Sequence, residues 1–199
     1  MPARPRCFPL SLYLLTVCVG LSAATAHAQV GRLAYPWQYL QGTDNKLHSL
    51  SDYRKSKFVV VAFLCNKCPC VKGYESRFKK INEVYGKLGV RFVGINCSTG
   101  PLETMDEMKR RAKAGGYNFD YLRDPSQHTG RGFHATSTPH CFILDEKRTV
   151  VYAGAFDDNR NENSVTRHYV TDALNALLAG RPVPEPTTRQ FGCAITYKR

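Results

Sequence analysis

From residue 58 to residue 156 the chain alternates unbroken apolar runs with segments whose apolar residues return every three or four positions. Phe58-Val59-Val60-Val61-Ala62-Phe63-Leu64 is continuous and β-branched, the pattern of a strand buried on both faces. Val71, Tyr74, Phe78, Ile81, Val84, Tyr85 and Leu88 follow at helical spacing. Lys72, Arg77, Lys79, Lys80 and Glu83 fall mostly on the opposite side, so this is one amphipathic helix, ended by Gly86 and Gly89. Val90 to Asn96 predicts a second buried strand. Pro101 opens a helix that Leu102, Met105, Met108 and Ala112 continue and Gly115-Gly116 stops. Tyr117 to Leu122 predicts a shorter strand, ended by Asp124-Pro125, and Ser126 to Phe133 a short helix. Cys141 to Leu144 and Thr149 to Ala155 predict a hairpin around Asp145-Glu146-Lys147-Arg148, and Val165 to Leu178 a last helix. Ahead of these, Gly31 to Gln41 reads as an arm packed by Trp37, and Leu47 to Leu50 as a short strand.

Strands alternating with helices, then a hairpin, then a helix predict an α/β fold with a central mixed sheet and helices on both faces. No internal repeat or low-complexity tract interrupts it. Residues 29–180 form one domain, and 181–199 form a Pro-rich C-terminal tail ending Gly192-Cys193-Ala194-Ile195.

Residues 1–28 are set apart. Arg4 and Arg6 form a basic start, Phe8 to Ala24 is mostly apolar, and Ala26-His27-Ala28 is an A-x-A cleavage site. This is a signal peptide, cut before Gln29, and it predicts a periplasmic or secreted protein with no stable membrane insertion after cleavage. The formal charge of +12 falls by two when Arg4 and Arg6 leave. The remaining basic residues are dispersed rather than gathered with aromatics, so the charge does not indicate a nucleic-acid partner.

The cysteines change the picture most. Cys7 and Cys18 lie in the leader; Cys65, Cys68, Cys70, Cys97, Cys141 and Cys193 remain. A structural disulfide framework spaces its cysteines, whereas Cys65-Asn66-Lys67-Cys68-Pro69-Cys70 places three where a buried strand meets a helix. Helix N-termini carry unpaired N–H groups and partial positive charge, which favour the thiolate, the reactive form. Cys97 and Cys141 adjoin core strands and read as small buried hydrophobes. None of the histidines stands at metal-ligand spacing from another, and no second C-x-x-C accompanies the first, so no metal site or cofactor is expected.

With this element order, Phe63-Leu64-Cys65-Asn66-Lys67-Cys68-Pro69, Val93-Gly94-Ile95-Asn96, Thr138-Pro139, Phe156-Asp157-Asp158 and the terminal Gly192-Cys193, the chain resembles the thioredoxin-fold redoxins. It looks most like the peroxiredoxin-like branch of the alkyl hydroperoxide reductase / thiol-specific antioxidant superfamily. The resemblance implies a thioredoxin-like fold with the reactive thiol at the first helix. It also implies that Pro139 is a cis-proline facing the thiols and that the Thr138 backbone pairs with a substrate chain. The sequence departs from typical peroxiredoxins. With Cys68 set as the reactive thiol, Cys65 occupies their threonine position and Val61 their proline position. The acidic residue that thioredoxin buries beneath its disulfide falls on Val59 or Ala62.

Pro69 selects among the thiols. Proline suits the first helical position and disfavours helical geometry in the residue before it, so Cys68 is the expected N-cap and nucleophile and Cys65 its disulfide partner. Lys67 is expected to tune the Cys68 pKa, and Cys70 and Cys193 are secondary or resolving thiols. The first reading is an exported thiol–disulfide oxidoreductase acting on protein disulfides or thiols with an unidentified electron donor. The second is a peroxide-reducing antioxidant using a Cys68 sulfenic acid. The third is a Cu(I)-binding carrier using clustered thiolates.

Overall fold

A computed structural model describes residues 29–199; the expected signal peptide lies outside the described residues. In chain order the elements are β1 (Leu40–Gly42), β2 (Leu47–His48), β3 (Phe58–Phe63), α1 (Pro69–Lys72), α2 (Glu75–Lys80), β4 (Val90–Asn96), α3 (Met105–Gly115) and β5 (Asp120–Arg123). They continue with α4 (His128–Gly132), β6 (Ser137–Thr138), β7 (His140–Leu144), β8 (Val150–Gly154), α5 (Tyr169–Leu178) and β9 (Cys193–Ala194).

Seven strands form a mixed sheet in the order β2-β1-β5-β4-β3-β7-β8. β3 is an interior strand, parallel to β4 and antiparallel to β7. Alternation along these strands divides the core in two. Val60, Ala62, Leu64, Phe92, Cys141 and Ile143 face α1, α2, α3 and α5, and Cys65 and Cys68 belong to this side. Val59, Val61, Phe63, Val93, Ile95 and Phe142 face the N-terminal arm and the end of α4. Trp37, 1% exposed, anchors the arm against Tyr53 and Phe133. Because both faces are covered, the central strands need no polar alternation, which explains their unbroken apolar runs.

The helix expected from Val71 to Leu88 is broken at Gly73-Tyr74 between α1 and α2. The loop after β8 lies against this break: a Cβ on Gly73 would meet Arg160 Cγ at 2.7 Å. Arg77 ties the two together, donating to the Gly73 and Arg160 carbonyls at 2.6 Å each while pairing with the buried Asp157 carboxylate. The second helix begins later than Pro101. Pro101–Glu103 is a separate 3-10 turn, and Thr104 caps α3 by accepting the Glu107 N–H. The last helix also starts late, at Tyr169, because Asp158 accepts the Thr166 N–H at 2.9 Å and its own N–H reaches the Arg167 carbonyl at 3.1 Å.

The Pro-rich tail is packed on the domain. Pro186 O accepts the Ala153 N–H, and β9 pairs with β6 in a separate two-stranded sheet. Gln127 holds the end of the chain, donating to Thr196 O at 3.0 Å and accepting the Lys198 N–H at 2.8 Å.

Candidate active site

β3 delivers Leu64 and Cys65 to the edge of the sheet, and the chain turns through Asn66 and Lys67 into α1. Cys68 is the N-cap of α1, with extended φ and ψ of −71° and 117°, and Pro69 follows at the first helical position. Proline's fixed φ suits that place, and its missing N–H would have been unpaired there in any case.

Opposite the turn stands β6, followed by a cis peptide between Thr138 and Pro139. Thr138 faces both thiols. Its Oγ1 lies 3.3 Å from Cys65 Sγ, and its carbonyl oxygen 3.1 Å from Cys68 Sγ. A third thiol completes the group: Cys193 Sγ lies 2.7 Å from Cys68 Sγ. All six cysteines of the described residues are free thiols.

The electrostatics separate the two thiols of the turn. Cys68 is held well below an ordinary thiol, first by a hydrogen bond from the Cys65 thiol, then by Cys193, Thr138 and the Val71 N–H, against the opposing effect of burial. The Val71 N–H acts without forming a full cap hydrogen bond. Cys65 moves the opposite way, raised by the same hydrogen bond to Cys68, by burial and by the Glu103 charge. Cys193 is pushed up to about 12 by burial and by its hydrogen bond to Cys68. Of the three thiols, Cys68 gives up its proton most readily, while Cys65 and Cys193 hold theirs.

Lys67 is placed differently from its expected tuning role. Its side chain is exposed, and the groups that lower Cys68 are the neighbouring thiols, Thr138 and the helix N–H. What Lys67 contributes is its backbone N–H, which donates to Glu103 Oε1 at 3.0 Å. Glu103 Oε2 accepts the Asn66 N–H at 2.9 Å and Asn96 Nδ2 at 2.8 Å. The carboxylate is 3% exposed and clamps the whole Cys65–Cys68 turn. Sequence reasoning missed Glu103, because an acid just after Pro101 looks like an ordinary first-turn residue of a helix. Tyr121 adds to the clamp by donating to Asn66 Oδ1 at 2.9 Å.

Cys70 sits in α1, partly exposed, and its Sγ lies within 4.8 Å of those of Cys68 and Cys193. Cys97 and Cys141 are fully buried, and burial pushes both thiols up, Cys97 to about 12. His140 faces away from the thiols. Its ring lies 4.4 Å from that of Phe142, on the opposite side of the sheet, and burial pushes it down to about 4.

The described cleft at the thiols has a volume of about 410 Å³ and is bounded by Cys65, Cys68, Pro69, Ser98, Glu103 and Cys193. Cys68 itself is only 1% exposed, because Thr138 and Cys193 cover it.

A central mixed sheet, a dithiol turn entering the first helix and a cis-proline facing it define a thioredoxin-like protein. The redoxin family model matches residues 24–170, and the chain belongs to the redoxin family. It is similar to an uncharacterized conserved protein from Geobacillus kaustophilus, with 35% identity, a TM-score of 0.79, and coverage of 85% of this chain and 92% of that one. It is also similar to a hypothetical protein from Sinorhizobium meliloti 1021, with 32% identity, a TM-score of 0.79, and coverage of 85% and 94%. A thioredoxin domain of a thiol-disulfide oxidoreductase from Bacteroides vulgatus shares 16% identity over 62% of this chain and 86% of its own, with a TM-score of 0.54, and agrees in fold. No curated protein matches the chain. Family and site together make it a redox enzyme of thiol chemistry.

Proposed function

We propose that this redoxin is an exported thiol–disulfide oxidoreductase that works through Cys68 and Cys65. One observation carries the reading: a thiol held low at the N-cap of α1, three positions from a thiol held high, both against Thr138. The Cys68 thiolate attacks one sulfur of a partner disulfide, and the other partner sulfur leaves as a thiolate. Cys65 loses its proton and attacks Cys68 Sγ, closing the Cys65–Cys68 disulfide and expelling the partner's second thiolate. The reverse sequence oxidises a partner dithiol. Thr138 faces both thiols with its Oγ1 and carbonyl oxygen while its backbone edge, expected to receive a substrate chain, is taken by β9, and Glu103 keeps the turn in place while the bonds exchange.

The test is dithiothreitol-driven reduction of a protein disulfide such as insulin by the purified protein. Cys68→Ser is expected to abolish the reaction, and Cys65→Ser to stall it with Cys68 held in a disulfide that Cys65 is no longer there to resolve. Undiminished turnover by Cys68→Ser overturns the proposal. Peroxide consumption that survives Cys65→Ser but not Cys68→Ser replaces it with a peroxidase route. Export rests on the leader at residues 1–28. The expected result is a periplasmic or secreted protein whose N-terminus is Gln29; a cytoplasmic chain still starting at Met1 overturns that part.

One observation favours a second reading. The Cys68, Cys70 and Cys193 sulfurs lie within 4.8 Å of one another, and clustered thiolates suit a soft cation such as Cu(I). Stoichiometric copper after anaerobic purification would move the assignment to a carrier.

A further inference from the structure

Cys68 is the nucleophile of the proposed reaction, yet only 1% of it is exposed. The cover is the chain's own C-terminal strand. Thr138 pairs with Cys193 and Ser137 with Ala194 in antiparallel register, on the backbone edge next to the cis-proline. The Ile195 N–H reaches Thr136 O at 3.0 Å and extends the pairing by one residue. The strand lies so close that a Cβ on Gly192 would meet Thr138 O at 2.2 Å. Beyond it, Ile195 is buried, Tyr197 donates to Ala135 O at 2.6 Å, and the Arg131 guanidinium sits 4.7 Å over the Tyr197 ring. This segment is anchored on both sides of Cys193, and the anchoring sets one sulfur against another: Cys193 Sγ is 2.7 Å from Cys68 Sγ. Cys193 is partly exposed, whereas Cys68, which lines the same cleft, is 1% exposed.

We infer that the C-terminal strand is a tethered substrate strand and that Cys193 relays thiol–disulfide exchange between outside partners and the Cys65–Cys68 pair. This rests on the oxidoreductase reading above and goes beyond it by naming the thiol that partners meet first. In the reducing direction, Cys193 gives its proton to the adjacent Cys68 thiolate, 2.7 Å away, and attacks a partner disulfide; the expelled partner thiolate takes that proton in turn and leaves Cys68 ionised. The Cys68 thiolate then attacks Cys193 Sγ, expels the second partner thiolate and forms the Cys68–Cys193 disulfide. Cys65, losing its proton to solvent, attacks Cys68 Sγ and releases Cys193 as a thiolate. The partner gains two electrons, and the protein keeps one disulfide, Cys65–Cys68. In the oxidising direction, Cys193 attacks Cys68 in that disulfide, and its proton passes to Cys65, which leaves as a thiol. A partner thiolate next attacks the partly exposed Cys193 Sγ, and Cys68 leaves. Its depressed pKa makes it the better leaving group. A second partner thiolate then releases Cys193.

The experiment uses the purified protein with insulin as the disulfide probe and dithiothreitol as the reductant. The relay requires Cys193→Ser to slow insulin reduction by at least about tenfold, as expected when the thiol that a partner reaches first is removed. It also requires Cys65→Ser, oxidised with one equivalent of diamide, to yield a Cys68–Cys193 disulfide by peptide mass spectrometry. Gly192→Ala keeps the thiol but displaces the strand, and is expected to lower the yield of that disulfide in the Cys65→Ser background. Insulin reduction by Cys193→Ser at the wild-type rate overturns the relay. So does a Cys65→Ser protein whose oxidised product joins Cys68 to Cys70 or to a second chain. These failures are separable from failure of the underlying reading, which would appear as unchanged activity in Cys68→Ser. Thermal melts of each variant identify a loss caused by unfolding, in which case the oxidation products of the remaining folded variants decide the matter.

Discussion

Glu103 Oε2 accepts the backbone N–H of Asn66 at 2.9 Å, although the two residues are far apart in sequence and belong to different connections of the sheet. With Oε1 on the Lys67 N–H and Asn96 Nδ2 also on Oε2, one buried carboxylate accepts three hydrogen bonds. A carboxamide cannot accept on both atoms, so Glu103→Gln leaves a buried N–H facing another donor. The expected cost is about 1–3 kcal/mol, the penalty for an unsatisfied buried group. Removing the charge also removes one of the influences that raise Cys65, so the Cys65 thiol should titrate lower. Denaturant unfolding measures the first effect. Thiolate absorbance against pH measures the second, and a packing role alone would leave it unmoved.

Cys68 supplies the pH dependence of the reduced protein. Its folded-state pKa lies below that of the unfolded thiol, so ionisation favours the folded state. That contribution is complete above the unfolded thiol's pKa and is lost as pH falls through the lower folded value. Thiolate absorbance should therefore persist below neutrality in the reduced protein and disappear in Cys68→Ser. Cys65→Ala removes the thiol that does most to lower Cys68 and should move the Cys68 titration upward.

Arg77 and Asp157 form an ion pair with 6% and 1% side-chain exposure, and Arg77 also holds three backbone carbonyls around the α1–α2 break. Desolvation raises the Asp157 pKa even with the guanidinium beside it. Arg77→Met leaves that carboxyl unpaired and should cost about 3–5 kcal/mol. Adding Asp157→Leu removes the orphaned group and should recover part of the loss. Urea midpoints of the two single variants and the double variant test this coupling.

His140 gives a separate acid sensitivity. Burial pushes its pKa down from 6.5 to about 4, so the unfolded chain takes up the proton first as pH falls. Stability associated with the neutral ring is complete above about pH 6.5 and is lost down to about pH 4, with a span of about 3 kcal/mol. His140→Gln should flatten this part of the profile. The difference between the two proteins' denaturant midpoints at several pH values isolates the ring from the carboxylates.

The strands were readable where one local pattern had one outcome. An apolar run covered on both faces has few alternatives, and β3, β4 and β7 emerge close to where Phe58 to Leu64, Val90 to Asn96 and Cys141 to Leu144 predict them. Helix boundaries were less readable, because distant groups competed for the same backbone. The loop carrying Asp157 and Arg160 broke the first helix, and Thr104 rather than Pro101 capped the next. The N-cap position of Cys68 followed from Pro69 alone, since proline's restriction acts on its immediate neighbour.

The sequence by itself thus determined the α/β order, the dithiol turn and the thiol that begins α1, all consequences of short-range sterics and hydrophobic period. Only the tertiary structure decided that Glu103 clamps the turn, that His140 faces the other core, and that Cys193 returns to Cys68. Each of those is a contact between segments far apart in the chain, fixed by which sheet edge remains open and which buried polar groups need partners, and no local pattern encodes it.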